Sequence, residues 1–206
     1  MKLFKGLVAV TSIVLSAQVY AIPDFNTLAD QANDANANIT KHIWDPTALT
    51  NDAFWNKLPG AEVKFKAEIS GYNNKMGYAN TDGTGGVTVL DEGNEPGDWI
   101  SISGAPDPFV FYLDTGKTRS DGSKVEWFSD DSLNFYLLDH MLAFQRLDGS
   151  DKFLLFWDDQ TGGGDRDFND FVARVNFVRP VTEPGTLALL GLGLASLGVA
   201  RRRKKA

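Results

Sequence analysis

Short runs of alternating apolar and polar residues, each ended by a turn-forming cluster, dominate the middle of this sequence. The clearest run is residues 62–70, EVKFKAEIS, in which every second side chain is apolar. That alternation is typical of a strand with one buried face and one solvent-exposed face. Similar runs lie at 87–89, 99–103, 109–113 and 124–128, and clusters rich in Gly, Asn, Asp and Pro lie at 71–74, 82–86, 95–97 and 121–122. Many short strands joined by turns predict an all-β fold, an antiparallel β-sandwich or jelly roll.

Between the two termini, the longest apolar runs lie at residues 140–178. Strands are predicted at 140–147 and 152–157, joined by a turn at 148–150. The second of them, KFLLFW, is apolar on both faces, which is typical of a central strand covered on both sides. A final strand is predicted at 171–178. The segment between the last two strands, 158–170, is therefore a connection between core strands.

The chain divides into four predicted parts: a signal peptide at 1–21, a loosely structured or partly helical lead-in at 22–60, a β-sandwich domain at 61–180 and a sorting tail at 181–206. In the lead-in, Asp24 is placed to cap a helix. The apolar residues of that helix would be Phe25, Leu28, Ala29 and Ala32. The Asn-rich run at 33–38 argues against this helix, because asparagine is a weak helix former.

The N-terminus has the three regions of a secretory signal. Lys2 and Lys5 precede an almost wholly apolar run at 7–17, and small residues stand at 19 and 21. We predict cleavage by signal peptidase and a mature chain that starts at Ile22. The alternative is an uncleaved anchor helix, but the apolar run is short for spanning a bilayer.

The C-terminus has a second tripartite pattern. The motif Thr182-Glu183-Pro184-Gly185 is followed by an uncharged apolar run to Ala200 and by five basic residues at 201–205. As a helix, residues 185–200 would rise about 24 Å, slightly less than the ~30 Å hydrocarbon core of a membrane. The positive-inside bias keeps the basic end cytoplasmic, so the body of an exported chain would face outward. The tail is thus predicted to form a short transmembrane helix.

This tail resembles the PEP-CTERM sorting signal of Gram-negative bacteria, with Thr182 where the first proline of the motif is usual. The resemblance implies that an exosortase, a membrane protease, removes the tail, in organisms that usually make exopolysaccharide. The expected route is an inner-membrane-anchored precursor that becomes a cell-surface or extracellular-matrix protein. The alternative is an ordinary C-terminal membrane anchor.

The charge of the body excludes one class of partner. Residues 22–200 keep 13 of the 20 basic residues and all 27 acidic residues, a net charge of −14. Such a body is not expected to bind nucleic acid, and it suits cations and neutral or cation-bridged sugars better than anionic partners. The chain has no cysteine, so its stability is expected to come from a core, a bound metal, or both.

The segment GGGDRDFNDF at 162–171 carries the candidate metal site. Asp165, Asp167 and Asn169 lie at i, i+2 and i+4, a spacing that lets a loop turn three side-chain oxygens toward one point, while the glycines permit the coil. Asp170 and Asp158, or Asp159 beside it, could complete a shell of hard oxygens, which favours Ca²⁺. The alternative is a structural turn in which Asp and Asn side chains accept backbone N–H bonds.

A second resemblance covers the same region. The stretch FWDDQTGGGDRDFNDFVARV at 156–175 is similar to the closing signature of a family of exported bacterial domains of unknown function, found in PEP-CTERM and LruC-type proteins. The resemblance implies a β-sandwich on an extracellular or surface protein, often suspected of binding Ca²⁺. It implies no established catalytic activity.

Three function classes remain open on the sequence. His42 and His140 are the only histidines, and no G-x-S-x-G or H-E-x-x-H motif occurs, so we expect no enzyme, although a glycan-active carboxylate pair is an alternative. A lectin-like polysaccharide-binding module is the second alternative, with Trp99 beside Asp98 as the first candidate for sugar stacking. The third is a structural matrix protein without a discrete ligand site.

Overall fold

The computed structural model describes residues 23–91, 93–94, 97–160 and 166–181. The predicted signal peptide and the predicted sorting tail beyond Val181 lie outside the described residues, as does Asp165 of the candidate metal site. Within the described ranges, no helix is long and apolar enough to cross a membrane.

The described chain contains a single α-helix followed by strands. The helix is α1 (Phe25–Asp34), and the strands are β1 (Trp55–Glu68), β2 (Lys75–Ala79), β3 (Val87–Asp91), β4 (Ile100–Ser101), β5 (Val110–Thr118), β6 (Lys124–Phe128), β7 (Met141–Gln145), β8 (Lys152–Trp157) and β9 (Phe171–Pro180). Three short 3₁₀ turns lie at Lys41–Ile43, Asp131–Leu133 and Phe135–Leu137.

The strands form two antiparallel sheets. Five strands pair in the order β4-β1-β9-β8-β7, and four pair in the order β3-β2-β5-β6. Both sheets contribute to one buried cluster, in which Trp55 of β1 packs edge-on against Phe111 of β5 and Phe153 of β8. The all-β class of the prediction is confirmed, and the two sheets with a common core agree with the predicted sandwich.

The strand β2 was not predicted from the sequence. It follows an Asn-rich turn and contains Gly77, a residue that usually weakens a strand. Here the glycine allows a close approach: a Cβ at position 77 would lie 2.2 Å from the carbonyl oxygen of Val87 and 2.6 Å from the ring of Tyr112. The β2–β3 register also shifts between Met76 and Gly77. Tertiary packing therefore sets this strand, against its local propensity.

The lead-in covers the outer face of the five-stranded sheet. The side chain of Asp24 accepts hydrogen bonds from the backbone N–H groups of Asn26 and Thr27, as predicted for a helix cap. The apolar face of α1 packs in a second cluster, where the ring of Phe25 lies 4.9 Å from that of Phe144 on β7. Leu154 and Phe156 of β8 belong to this cluster. This covering explains why β8 is apolar on both faces.

The strand β1 begins at Trp55, so the predicted domain start at residue 61 falls inside this strand. Within this strand, Pro59 and Gly60 are residues that are unfavourable in strand interiors. In the structure they fall in an irregularity of the β1–β9 pairing between Lys57 and Glu62, and Gly60 has a φ of 84°. A bulge therefore absorbs the two residues without ending the strand.

Candidate functional site

The connection between β8 and β9 brings three acidic residues to one buried place. The two strands are paired up to Trp157 and Phe171. The backbone N–H of Asp170 then donates to the carbonyl of Trp157 at 3.0 Å, and the N–H of Asp159 donates to Oδ2 of Asp170 at 2.8 Å. Asp158, Asp159 and Asp170 are 0%, 2% and 8% exposed. The hairpin geometry thus places three carboxyl groups out of bulk water.

Asp159 ties this acidic group to the other parts of the fold. Its Oδ2 accepts hydrogen bonds from the hydroxyl of Ser70 and, at 2.7 Å, from Nδ2 of Asn74. Its backbone carbonyl accepts from the indole Nε1 of Trp127 at 3.1 Å. Ser70 and Asn74 lie in the β1–β2 connection, and Trp127 lies on β6. The cluster therefore links both sheets.

Asp167 and Asn169 are paired with each other. Nδ2 of Asn169 donates to Oδ2 of Asp167 at 2.8 Å, and the backbone N–H of Asn169 lies 3.4 Å from Oδ1 of the same carboxylate. The loop coils here: Arg166 and Phe168 have φ values of 53° and 52°, which are unusual for residues with side chains. Phe168 is fully buried and anchors the coil in the cluster under α1. The described part of this loop thus contains the hydrogen bonds of a structural turn.

Like charges surround Asp170. Burial first, and then the carboxylates of Asp159, Asp167 and Asp158, raise the pKa of Asp170 to about 8. The hydrogen bond from the backbone of Asp159 opposes this shift without cancelling it. A pKa of about 8 means that Asp170 holds its proton at pH 7 in the absence of a compensating positive charge.

His140 is a structural residue of this cluster. Its ring stacks on that of Trp127, with centroids 3.7 Å apart and planes 5° apart. Nδ1 of His140 lies 3.1 Å from the carbonyl oxygen of Asp158, and the backbone N–H of Asp158 donates to the carbonyl of His140. Burial lowers the pKa of His140 to about 4. The ring is therefore neutral at pH 7 and contributes no charge to offset the carboxylates.

The predicted metal ligands are partly brought together. Asp158 and Asp170 are both buried at the same end of the hairpin, Asp167 and Asn169 pair in the coil, and Asp165 lies outside the described residues. Among the described residues, no group of three or more His, Cys, Asp or Glu side chains has the geometry of a metal site. Sequence reasoning missed the role of Asp159 and its partners, because Ser70 and Asn74 are more than 80 positions away.

A second acidic group lines a cavity of about 350 Å³ beside β7. Burial and the charges of Asp139 and Asp131 raise the pKa of Asp52 to about 8. Burial, Asp139 and Asp130 raise the pKa of Asp131 to about 7, while Arg166 opposes that shift. Because these acids come from separate segments of the chain, no local motif pointed to them.

Trp99 is half-buried, and two cationic side chains lie near its ring. Nζ of Lys64 lies 5.2 Å from its ring centroid, and the guanidinium carbon of Arg174 lies 5.4 Å from it. The other tryptophans are buried in the core: Trp44, Trp55, Trp127 and Trp157. Sequence reasoning named Trp99 as the first candidate for sugar stacking but did not find the basic residues around it.

The comparison with family models concerns the tail. Residues 180–204 match the PEP-CTERM protein-sorting motif, which confirms the resemblance based on Glu183, Pro184 and the basic end. No curated protein and no solved structure matches the chain. The similarity of residues 156–175 to exported domains of unknown function stays a prediction. The chain is therefore an exported protein that carries a PEP-CTERM sorting motif and is processed by an exosortase at the membrane.

Proposed function

We propose that this exported protein is a non-catalytic module of the cell surface or biofilm matrix, and that its loop at 158–170 binds Ca²⁺. The main support is the burial of Asp158, Asp159 and Asp170, which are at most 8% exposed. Buried carboxylates are costly unless hydrogen bonds or a positive charge compensate them. A bound cation would supply that charge.

The loop itself offers little positive charge. Residues 158–170 contain five aspartates, and Arg166 is the one basic residue among them. The guanidinium of Arg166 lies 5.9 Å from the ring centroid of Phe168, and its charge also acts on Asp131 and Asp139 outside the loop. One arginine shared among so many acids leaves the loop strongly negative, which favours a divalent cation.

The hydrogen bonds of the loop leave oxygen ligands for a metal. A carboxylate has about four lone-pair sites. Oδ2 of Asp170 accepts one hydrogen bond, from the backbone N–H of Asp159 at 2.8 Å. Asn169 donates through its nitrogen, which leaves its carbonyl oxygen to bind a metal. With Asp165 and Asp167, these groups would supply hard oxygens of the kind that Ca²⁺ prefers.

Titration of the full-length, EDTA-stripped chain with Ca²⁺ in a calorimeter tests this proposal. We expect one Ca²⁺ per chain and weaker binding of Mg²⁺, which demands a stricter octahedral geometry. Asp167→Ala should abolish the binding. Asp121→Ala is the matched control, because Asp121 is an exposed acid whose side chain accepts hydrogen bonds within its own turn. Absence of Ca²⁺ binding to the wild-type chain would overturn the proposal.

The proposed location has its own test. Removal of the tail should release the body from the membrane, so the wild-type chain should accumulate at the cell surface or in the medium. Pro184→Ala, within the matched sorting motif, should leave an uncleaved precursor in the membrane fraction. Equal processing of the two chains, or a wild-type chain that stays in the membrane fraction, would contradict the surface assignment.

A further inference from the structure

A cavity with aromatic walls opens beside β6, next to the acidic loop. Its volume is about 540 Å³, within the range of roughly 300–1,000 Å³ that small-molecule sites occupy. Tyr72, Trp127, Phe135 and Tyr136 line it. Trp127 is the residue that donates to the carbonyl of Asp159, so the core holds one wall of the cavity in place.

The outer wall is exposed and strained. Phe135, Tyr136 and Leu137 are 54%, 68% and 70% exposed. Tyr136 and Leu137 also have φ values of 69° and 54°, a left-handed conformation that costs free energy for residues with bulky side chains. This segment exposes three large apolar side chains and holds two of them in a strained backbone conformation, and both features cost free energy. Such a combination is typical of a binding surface.

A buried side chain holds this strained segment. Asn134 is 4% exposed. Its Nδ2 donates to the carbonyls of Phe128 and Leu138, both at 2.9 Å, and its Oδ1 accepts from the N–H of Phe128 at 2.7 Å. The aromatic wall is therefore fixed to β6, and a ligand would meet a preorganised surface.

Two cations lie over the aromatic rings of the cavity. Nζ of Lys117 is 4.2 Å from the ring centroid of Tyr72, and the guanidinium carbon of Arg119 is 5.2 Å from that of Phe135. Neither cation forms an ion pair with a carboxylate of the described residues. Asp121 also lines the cavity, and hydrogen bonds from Ser123 lower its pKa and keep it ionised, so the lining carries two positive charges against one negative charge. In a body with a net charge of −14, this is a local excess of positive charge.

We propose that this cavity binds an anionic saccharide, a chain of uronic acid units. The aromatic rings would pack on the apolar faces of the sugar rings, and Lys117 and Arg119 would bind the carboxylate, which Arg can engage with two parallel hydrogen bonds. The negative body repels long polyanions in general. A short saccharide segment that enters the cavity meets the two cations without lying along that body.

The proposal places sugar binding at Tyr136 and Lys117, whereas the sequence pointed to Trp99. It does not depend on Ca²⁺ binding by the loop at 158–170. The experiment is therefore done twice, once with EDTA and once with Ca²⁺, so that failure of the metal proposal does not decide the outcome. A short oligosaccharide is used because it does not gel with Ca²⁺.

The test is calorimetric titration of the full-length chain with a galacturonic acid trimer. The wild-type chain should bind in at least one of the two buffers. Complete methyl esterification of the trimer, which removes the charge and keeps the rings, should weaken binding at least about tenfold. Lys117→Ala/Arg119→Ala should weaken binding of the acidic trimer to a similar extent. Lys41→Ala, which removes a cation from the lead-in, should leave it unchanged.

A second variant separates binding from folding. Tyr136→Gly removes an exposed aromatic wall at a backbone conformation that glycine adopts easily, so it should fold at least as stably as the wild type and still bind about tenfold more weakly. Three results would overturn the proposal. The first is no binding of the acidic trimer in either buffer. The second is binding by both cavity variants as tight as that of the wild type. The third is binding of a thymidine oligonucleotide of the same charge as tight as that of the trimer.

Discussion

At the scale of the residue, position 77 shows how closely the four-stranded sheet is packed. Gly77 lies between β3 and β5, and a Cβ there would approach the Val87 carbonyl oxygen to 2.2 Å. Real Cβ atoms do not approach a backbone oxygen so closely, so the strands would have to separate. The absence of a side chain is therefore a condition of the β2 pairing.

Gly77→Ala should lower the free energy of unfolding by about 2–3 kcal/mol, because an inserted methyl group forces backbone shifts in a packed sheet. Denaturant unfolding of the full-length chain measures it. Gly71→Ala is the matched control, since nothing lies within 4 Å of a Cβ at position 71, and its effect should stay within about 0.5 kcal/mol. Equal effects of the two substitutions would show that the close approach is absent.

The buried acids of the cavity beside β7 predict a pH dependence. The pKa of Asp52 is raised to about 8 and that of Asp131 to about 7, and burial also raises the pKa of Asp139. A raised pKa means that the folded chain holds protons that the unfolded chain releases. The resulting stability is fully present below the unfolded pKa of about 4, and it is lost progressively as the pH rises from there to the folded values of about 7 and 8. His140, whose pKa is lowered to about 4, has the opposite effect on stability. Its contribution is lost as the pH falls below its ordinary pKa of about 6.5.

Melting temperatures between pH 6.5 and pH 9 measure this loss. The wild-type chain should melt at a lower temperature at the upper end, and Asp52→Asn should reduce the decrease, because an amide does not ionise. Asp121→Asn provides the comparison: hydrogen bonds from Ser123 lower the pKa of Asp121, so its replacement should leave the slope in this range unchanged. A wild-type melting temperature that is constant or rises with pH would contradict the raised pKa values.

At the scale of the element, α1 acts as a cover for the five-stranded sheet. Its four buried residues repeat at helical spacing, and they pack on Phe144 of β7 and Phe156 of β8. The rings of Phe25 and Phe156 meet nearly at a right angle, with centroids 6.4 Å apart. Most of the stability of so short a helix comes from this packing.

Phe25→Ala should lower the free energy of unfolding by about 3–5 kcal/mol, the usual cost of removing a buried ring. The same substitution at Phe135, which is 54% exposed, is the matched control and should cost less than about 0.5 kcal/mol. Chemical denaturation of both variants measures the difference. A Phe25→Ala chain as stable as the wild type would mean that the lead-in does not cover the sheet.

The sequence predicted elements where local pattern and tertiary packing agree. Asp24 and the apolar spacing behind it predicted α1, and the doubly apolar KFLLFW predicted an interior strand. The sequence did not predict β2, because the need for a glycine at position 77 comes from the close approach of Val87 and Tyr112, which lie elsewhere in the chain. In the candidate site, the sequence placed Asp158 and Asp170 near each other, because they stand at the two ends of a connection between adjacent strands. The bonds from Ser70 and Asn74 to Asp159 join distant parts of the chain and leave no local signal.

At the scale of the whole molecule, the chain combines a sorting motif at 180–204 with a body that has no cysteine. An exported domain without disulfides depends on its core and on any ligand that binds only the folded state. The loop at 158–170 joins two adjacent strands of one sheet and contacts the other sheet through Trp127. A cation bound there would thus stabilise both sheets together.

Thermal unfolding of the full-length chain, first with excess EDTA and then with millimolar Ca²⁺, measures this stabilisation. At a free Ca²⁺ concentration a hundred times the dissociation constant, binding adds about 2.7 kcal/mol, which corresponds to a rise of about 5–11 °C for a chain of this size. Asp165→Ala/Asp167→Ala should lack the rise, and Asp82→Ala/Asp121→Ala, which removes two exposed acids from other turns, should keep it. An unchanged wild-type melting temperature, or an equal rise in the first double variant, would contradict a Ca²⁺ site in this loop.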